Sequence, residues 1–415
     1  MPFRRRVVLP AVLALTVVVA ACGAKDQQAS KQDVKTGPGV TADTISLGVL
    51  TDMTGPFKGS ALLRIKGYEL YLSQLNERGG ICGRKVELKL KDHAFDVQKA
   101  LDGYFELEPE ILGLMELAGA PMTAAIEPDL MQTRVLTVPA SWAASLLGNP
   151  QMMIVGTTYD LDIINGIDYY KRQGVIKEGD TIGHVYIDGS YGGNALEGTQ
   201  FAANAWNMKV SEQKIGETTA DLTQQIGALK AAGAKAVMLS TNPQQTAIAV
   251  GVAAALKWEV PFMVNVVGFD PALMQSPVAP AVAKQVSVVT SVAPYTNGQN
   301  GPKEVASAFQ SKYPGEKPAL YVDHGYAVAM AYTAVLEKAC RDNDLTRDGV
   351  LKAFHDTNGL EMKGLTGPLH FSLVGRPSTT QSIITKPDLN APGSLTTVEE
   401  LFESDLVKQK GTRAK

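Results

Sequence analysis

Runs of four to eight apolar residues alternate with stretches in which apolar residues recur every three to four positions. Ile45–Leu50 reads as a first strand. After it, Leu62, Ile65, Tyr68, Leu72 and Leu75 fall on one helical face, and Gly79-Gly80 ends the helix. Val86, Leu88 and Leu90 then alternate with Glu87, Lys89 and Lys91, the pattern of a half-exposed strand. A helix from Val97, a strand at Ile111–Leu117, a helix at Thr123–Met131 and a strand at Val135–Val138 follow. The pattern restarts with a helix at Leu161–Arg172, a strand at Ile182–Ile187 and a helix at Ala195–Trp206. Asp221 is placed to cap a helix over Leu222–Ala232. Strands at Ala236–Leu239, Pro261–Val266 and Val286–Val292 enclose a helix at Gln244–Leu256. Helices are predicted at Lys303–Lys312, Tyr326–Cys340 and Thr346–Asp356, and beyond Gly375 an irregular tail with a last helical stretch at Val398–Leu406.

Alternating strands and helices of this kind build parallel sheets covered on both faces, an α/β class of fold. The pattern runs twice and then continues into more helices than a third sheet needs. The economical arrangement is two lobes, with the late helices returning to the first. Several crossings between lobes make a hinge, and the strand ends of two facing sheets converge on the gap between them.

The first residues change the picture. Arg4, Arg5 and Arg6 precede an apolar stretch, Val7 to Val19, interrupted by Pro10 and Thr16. This is short of the ~20 apolar residues a membrane span needs and suits a secretory signal. It ends in Val19-Ala20-Ala21-Cys22, which resembles the bacterial lipobox. Cleavage before Cys22 would leave its thiol to carry the lipid, and acyl chains contribute ~0.8 kcal/mol per buried CH₂ to membrane anchoring. Residues 1–21 are therefore expected to be a lipoprotein signal peptide. Residues 22–43, polar and rich in Gly, Ser, Gln and Lys, are expected to be a flexible tether from lipid to domain.

About 390 residues would follow that cleavage, which suits two domains. The net charge is −3 and no basic block lies beyond the signal, so nothing points to nucleic acid as a partner. With Cys22 acylated, Cys82 and Cys340 remain. Outside the cytoplasm they form one disulfide or stay as two buried thiols; their placement in one predicted lobe favours the bridge.

Four segments occur in a telling order: Ile45–Gly55 (ISLGVLTDMTG), Asn76–Leu88 (NERGGICGRKVEL), Tyr186–Gly192 (YIDGSYG) and Leu229–Ser240 (LKAAGAKAVMLS). Together they resemble the type I periplasmic binding proteins of the branched-chain amino acid class, from about residue 44 to 375. The resemblance implies two Rossmann-like lobes joined by a three-crossover hinge that closes on a ligand. It places lobe I at residues 44–157 plus 294–368 and lobe II at 158–293 plus 369–415, with crossovers near Gly156–Asp160, Ser291–Tyr295 and Leu365–Phe371. It also implies an extracytoplasmic monomer that delivers a small solute to the permease and ATPase subunits of an ABC importer, held at the membrane by its lipid.

Amino-acid binders of this class hold the carboxylate with hydroxyls and backbone N–H groups of lobe I and the ammonium with an acid of lobe II. By ungapped alignment, Gly119 stands where a carboxylate-binding Ser is usual. In the run Val138 to Trp142, with Ala140 and Ser141 beside it, Trp142 replaces a Thr. Val267 occupies the place of the acid. Tyr191 matches the cleft aromatic, and Asn242 a second cleft position; Thr54 and Tyr295 complete the expected ligand contacts. Tyr159 and Tyr321 lie near the predicted rim, and Asp270 is an acid three residues from Val267. Three polar partners of a zwitterion are missing at once, and a buried unpaired ammonium is costly. A free α-amino acid is thus not the expected ligand; a planar, aromatic or apolar solute fits Trp142 and Tyr191 better.

The five histidines, His93, His184, His324, His355 and His370, show no metal-ligand spacing, and no nucleophile elbow, P-loop or dinucleotide turn is present. No cofactor, metal or catalysis is expected. A ligand-sensing receptor subunit and a cell-envelope hydrolase are the alternatives.

Overall fold

The computed structural model describes residues 1–3, 34–372 and 375–412. Cys22, the signal segment and most of the expected tether lie outside them. Val34 is buried and β1 (Lys35–Thr36) pairs with a short strand far along the chain. Gly39 adopts φ +74, and a Cβ there would sit 2.2 Å from the Leu112 nitrogen. The chain is thus fixed to the body from Val34 on.

β2 (Thr44–Thr51), β3 (Lys85–Asp92), β4 (Gly113–Ala118) and β5 (Thr137–Ala140) form a parallel sheet of order β3-β2-β4-β5. β2 and β4 are buried on both faces, in keeping with their predominantly apolar sequences; β3 alternates and forms an edge. β6 (Thr181–Ile187), β7 (Lys209–Ile215), β8 (Ala236–Ser240), β9 (Phe262–Asn265) and β10 (Val286–Thr290) continue in a second, larger sheet. After β11 (Asp344–Leu345), the partner of β1, the strands β12 (Ser382–Pro387) and β13 (Leu395–Phe402) complete it in the order β13-β12-β10-β9-β8-β6-β7. β12 runs antiparallel to both neighbours; the other pairs are parallel.

Three strands depart from the sequence reading. β7 is a polar edge strand, whose alternation of charged and small residues carried no apolar signal. β12 lies in the segment expected to be irregular. β13 replaces the expected helix at Val398–Leu406, and a helix follows only at Asp405–Thr412. Tertiary contacts decide this: Arg172 bonds Glu399 and stacks its guanidinium 4.9 Å from the Phe402 ring centre. The helix after Asp221 runs over Thr223–Ala231, with Leu222 at the N-cap and Asp221 accepting from the Thr223 N–H at 2.9 Å.

The chain passes between the sheets three times: after β5, after β10, and before β12. The late helices Asn300–Lys312 and Leu320–Arg341 return to the first sheet, where Phe309, Val328 and Tyr332 share a core with Ile45, Leu47 and Val49. Cys82 and Cys340 are disulfide-bonded, with Cα atoms 6.0 Å apart, and tie the turn after the helix Lys58–Glu77 to the end of Leu320–Arg341. The passages are tied to each other. Ser378 donates its hydroxyl to the Ile154 carbonyl at 2.6 Å and accepts from the Gly156 N–H at 3.2 Å, and the Ala293 N–H donates to the Leu365 carbonyl at 2.7 Å. Gly156 is held at φ +131, and a Cβ there would lie 2.4 Å from the Ser291 hydroxyl oxygen, so only glycine lets the first and second passages touch. Leu369 and Phe371 still pack in the core of the first sheet, and the third passage follows them.

Candidate functional site

The gap between the sheets lies beyond the carboxyl ends of their strands. Trp142 follows β5, Val266 follows β9, Ser291 and Val292 follow β10, and all four line one enclosed cavity. Leu320 and Tyr321, at the start of the helix Leu320–Arg341, close it from the first lobe. About 10 Å³ of it is open to the centre of a water-sized sphere, near the least that holds one water. Admitting a solute therefore requires the lobes to part about the three passages.

Aromatic rings form one wall. The Trp142 ring lies 5.9 Å from Tyr159, edge-on, and Tyr159 lies 4.6 Å from Tyr191. The indole N–H donates to the Val155 carbonyl at 3.2 Å, fixing the ring over the first passage. The Tyr321 hydroxyl donates to the Val266 carbonyl at 2.9 Å, directly across the gap, and lies 3.2 Å from the Phe269 carbonyl. These rings supply apolar area at low entropic cost, and their polar ends are already committed to backbone.

The charged groups sit beside this wall. Arg64, on the helix Lys58–Glu77, donates from Nε and Nη2 to Glu116 at 2.9 and 2.7 Å. Glu116 also accepts from the hydroxyls of Thr51 and Tyr68, so four donors surround one buried carboxylate. Burial works against ionising Glu116, yet the charge of Arg64 and these hydrogen bonds outweigh it and hold the carboxyl below its usual range. The Arg64 guanidinium carbon lies 5.9 Å from the centre of the Tyr321 ring. His324 lines the cavity 5.0 Å from Trp142, and its Nδ1 is buried without a hydrogen-bond partner. Burial, with the charge of Arg64, pushes His324 down to about 3, so the ring is neutral. Asp162 also lines the cavity and accepts from the Ser382 hydroxyl at 2.6 Å. Burial, reinforced by Asp160, pushes its carboxyl up to about 7. Asp160 itself is paired with Lys410.

Several residues expected at the site converge here. Trp142 and Tyr321 line the cavity, and Ser141, Tyr159 and Tyr191 adjoin it. Val267 is packed in the apolar cluster that holds Trp142 and Tyr191, while its neighbour Val266 reaches the cavity. Others stand apart in local roles. Thr54 donates to Asp92 at 2.7 Å. Asn242 caps the helix Pro243–Ala255 in a reciprocal capping box with Gln245. Tyr295 donates its hydroxyl to the Ala306 carbonyl at 3.2 Å. Ala140 is the last residue of β5, and Gly119, at φ +91, precedes the helix Ala120–Thr133 with Met122 and Phe95 where a side chain would go. Asp270 caps its own turn, accepting from the Ala272 N–H at 2.8 Å. Sequence reasoning passed over Arg64, Glu116, Asp162 and His324. Glu116, a lone acid inside the apolar strand Gly113–Ala118, was the available signal, since a buried acid demands a partner.

Among the described residues no group of acidic, His or Cys side chains could hold a metal ion, and no helix is long and apolar enough to cross a membrane. A family described as periplasmic binding protein matches residues 44–385. A fatty acid ABC transporter substrate-binding protein from Thermomonospora curvata is 36% identical, with a TM-score of 0.88, over 92% of this chain and 98% of its own. A branched-chain amino acid ABC transporter protein from Thermus thermophilus with bound valine is 18% identical, with a TM-score of 0.77, over 89% and 98%. A leucine-binding protein from Thermotoga maritima is 16% identical, with a TM-score of 0.75, over 87% and 99%. The last two share the fold. No curated protein matches the sequence.

Proposed function

This chain belongs to the periplasmic binding protein family as a substrate-binding protein of an ABC transporter, and from that premise we propose that its solute is an apolar organic acid of the fatty-acid kind. The observation that carries this reading is the cavity wall. Trp142, Val266, Val292 and Leu320 are apolar, and the polar ends of Trp142 and Tyr321 are spent on backbone. An alkyl chain would find apolar surface from both lobes. The name of the Thermomonospora curvata relative supports the same solute class.

In this reading the lobes open, take the acid from outside the membrane, close, and present it to permease and ATPase subunits. The chain works as a monomer moored through a lipid on Cys22, and it binds without catalysis. The test is thermal unfolding and tryptophan fluorescence of the purified protein against fatty acids of graded length, leucine, valine and aromatic acids. Fatty acids should give the largest stabilisation, following the occupancy of a site on the native state. A largest shift with leucine or valine overturns the solute class, and turnover of a bound compound overturns the binder. Mass spectrometry of the mature N-terminus checks the lipid at Cys22.

A further inference from the structure

His324 is a buried polar group that the packing of the fold does not explain. It sits in the first turn of the helix Leu320–Arg341, faces the cavity between the lobes, and leaves Nδ1 without a partner although only 5% of the residue is exposed. A neutral imidazole nitrogen stranded in this way costs free energy that a ligand atom would recover. Its ring is held from one side by Trp142, 5.0 Å away, so Nδ1 has a fixed direction.

Arg64 supplies the second half. Glu116 takes Nε and Nη2, so the guanidinium is rigid and Nη1 makes no hydrogen bond among the described residues. Its positive charge is close enough to His324 to disfavour the imidazolium, and its guanidinium carbon lies 5.9 Å from the Tyr321 ring that lines the cavity. Thr51 and Tyr68 hold Glu116 in turn, which makes the whole assembly a pre-set support rather than a pair free to reorganise.

We infer that His324, with the guanidinium of Arg64 behind it, forms the subsite for the carboxyl end of the solute. The imidazole donates from Nδ1 to one oxygen of the head, and Arg64, fixed by Glu116 and 5.9 Å from the Tyr321 ring, stands behind it. The tail then lies against Trp142, Val266, Val292 and Leu320 once the lobes have parted and re-closed. Glu116 acts through Arg64 as a positioning residue. This assignment rests on the reading of the solute as an apolar organic acid and names what recognises its acidic end.

The test is calorimetric titration of the purified protein with octanoate, octanamide and 1-octanol, three heads on one alkyl chain. Octanoate should bind about tenfold or more tighter than 1-octanol, the scale of one hydrogen bond to a charged group. His324→Ala should bring the two affinities together, octanoate losing far more than 1-octanol. Because Arg64→Ala alone would strand a buried carboxylate, the second variant is Arg64→Gln with Glu116→Gln, checked for folding by thermal unfolding. It too should lose the preference for octanoate. Equal affinity for octanoate and 1-octanol in the unaltered protein, or a preference that survives in both variants, overturns the subsite while the apolar-solute reading stands. Octanamide binding tighter than octanoate also overturns it. If none of the three binds, the solute reading fails and the subsite with it.

Discussion

The Tyr321 hydroxyl reaches from the first lobe to the Val266 carbonyl of the second, 2.9 Å away, and so closes the mouth of the cavity with a single hydrogen bond. The bond exists only when the lobes are together. Tyr321 sits on the first turn of its helix and Val266 just after β9, so the two belong to different lobes. Tyr321→Phe removes this link and keeps the ring. Since a hydrogen bond contributes ~0.5–1.5 kcal/mol net, ligand affinity should fall roughly three- to tenfold with little change in unfolding temperature. Titration calorimetry beside thermal unfolding checks this; a large loss of stability with unchanged affinity counts against a closure role.

Glu116→Ala should cost far more. It leaves Arg64 as an uncompensated buried cation and deprives Tyr68 and Thr51 of their acceptor. Breaking a buried pair by removing one partner typically costs ~3–5 kcal/mol, and removing both charges together costs less. Urea unfolding of Glu116→Ala against the paired Arg64→Gln, Glu116→Gln variant should show the single change as the more damaging one.

The disulfide joins residues separated by 258 positions and clamps two helices that already pack together. Replacing both Cys82 and Cys340 by Ala should lower stability by ~2–4 kcal/mol, chiefly through the freer unfolded chain. Ligand affinity should hold, because the bridge lies within one lobe and no passage between the lobes depends on it. Unfolding midpoints with and without reductant, alongside titration calorimetry, test both halves.

The sequence carried the fold wherever burial was two-sided. β2, β4, β8 and β10 are predominantly apolar, and each was legible because both faces of its sheet are covered. β7 and β13 are edge strands whose residues answer to neighbours distant in sequence, so local pattern misreported them. At the site, Trp142 and Tyr191 came from the family resemblance, and the structure sets the Tyr159 ring between them. The charged assembly was not. Arg64, Glu116 and His324 come from a helix, a strand and a second helix, and only the return of the late helices to the first sheet brings them together. Thr54 and Asn242, read as ligand contacts, carry short polar side chains that local turns and caps use equally well.

Asp162 should make stability and solute binding depend on pH. It lies on the buried helix Tyr159–Arg172, lines the cavity, and has one hydroxyl partner, Ser382, but no cation among the described residues. Asp160, two residues before it, is already paired with Lys410. From the other elements, Tyr191, Tyr321 and a neutral His324 share the cavity region, and Arg64 is spent on Glu116. Burial therefore raises the carboxyl to about 7, above the ~4 of an unfolded chain. In between, the unfolded state holds fewer protons at this position than the native one, so stability falls as pH rises from about 4 to about 7, and the loss is complete above it. Asp162→Asn keeps an acceptor for Ser382 and removes the charge. The variant should unfold at a higher temperature than the unaltered protein at pH 8, and the difference should narrow steadily towards pH 5. The same charge opposes an anionic solute in the cavity, so affinity for octanoate should drop as pH rises through about 7 and stay level in Asp162→Asn. Unfolding temperature and octanoate affinity measured from pH 5 to 8 decide it: a variant that follows the unaltered protein across that range shows that Asp162 keeps the same charge throughout.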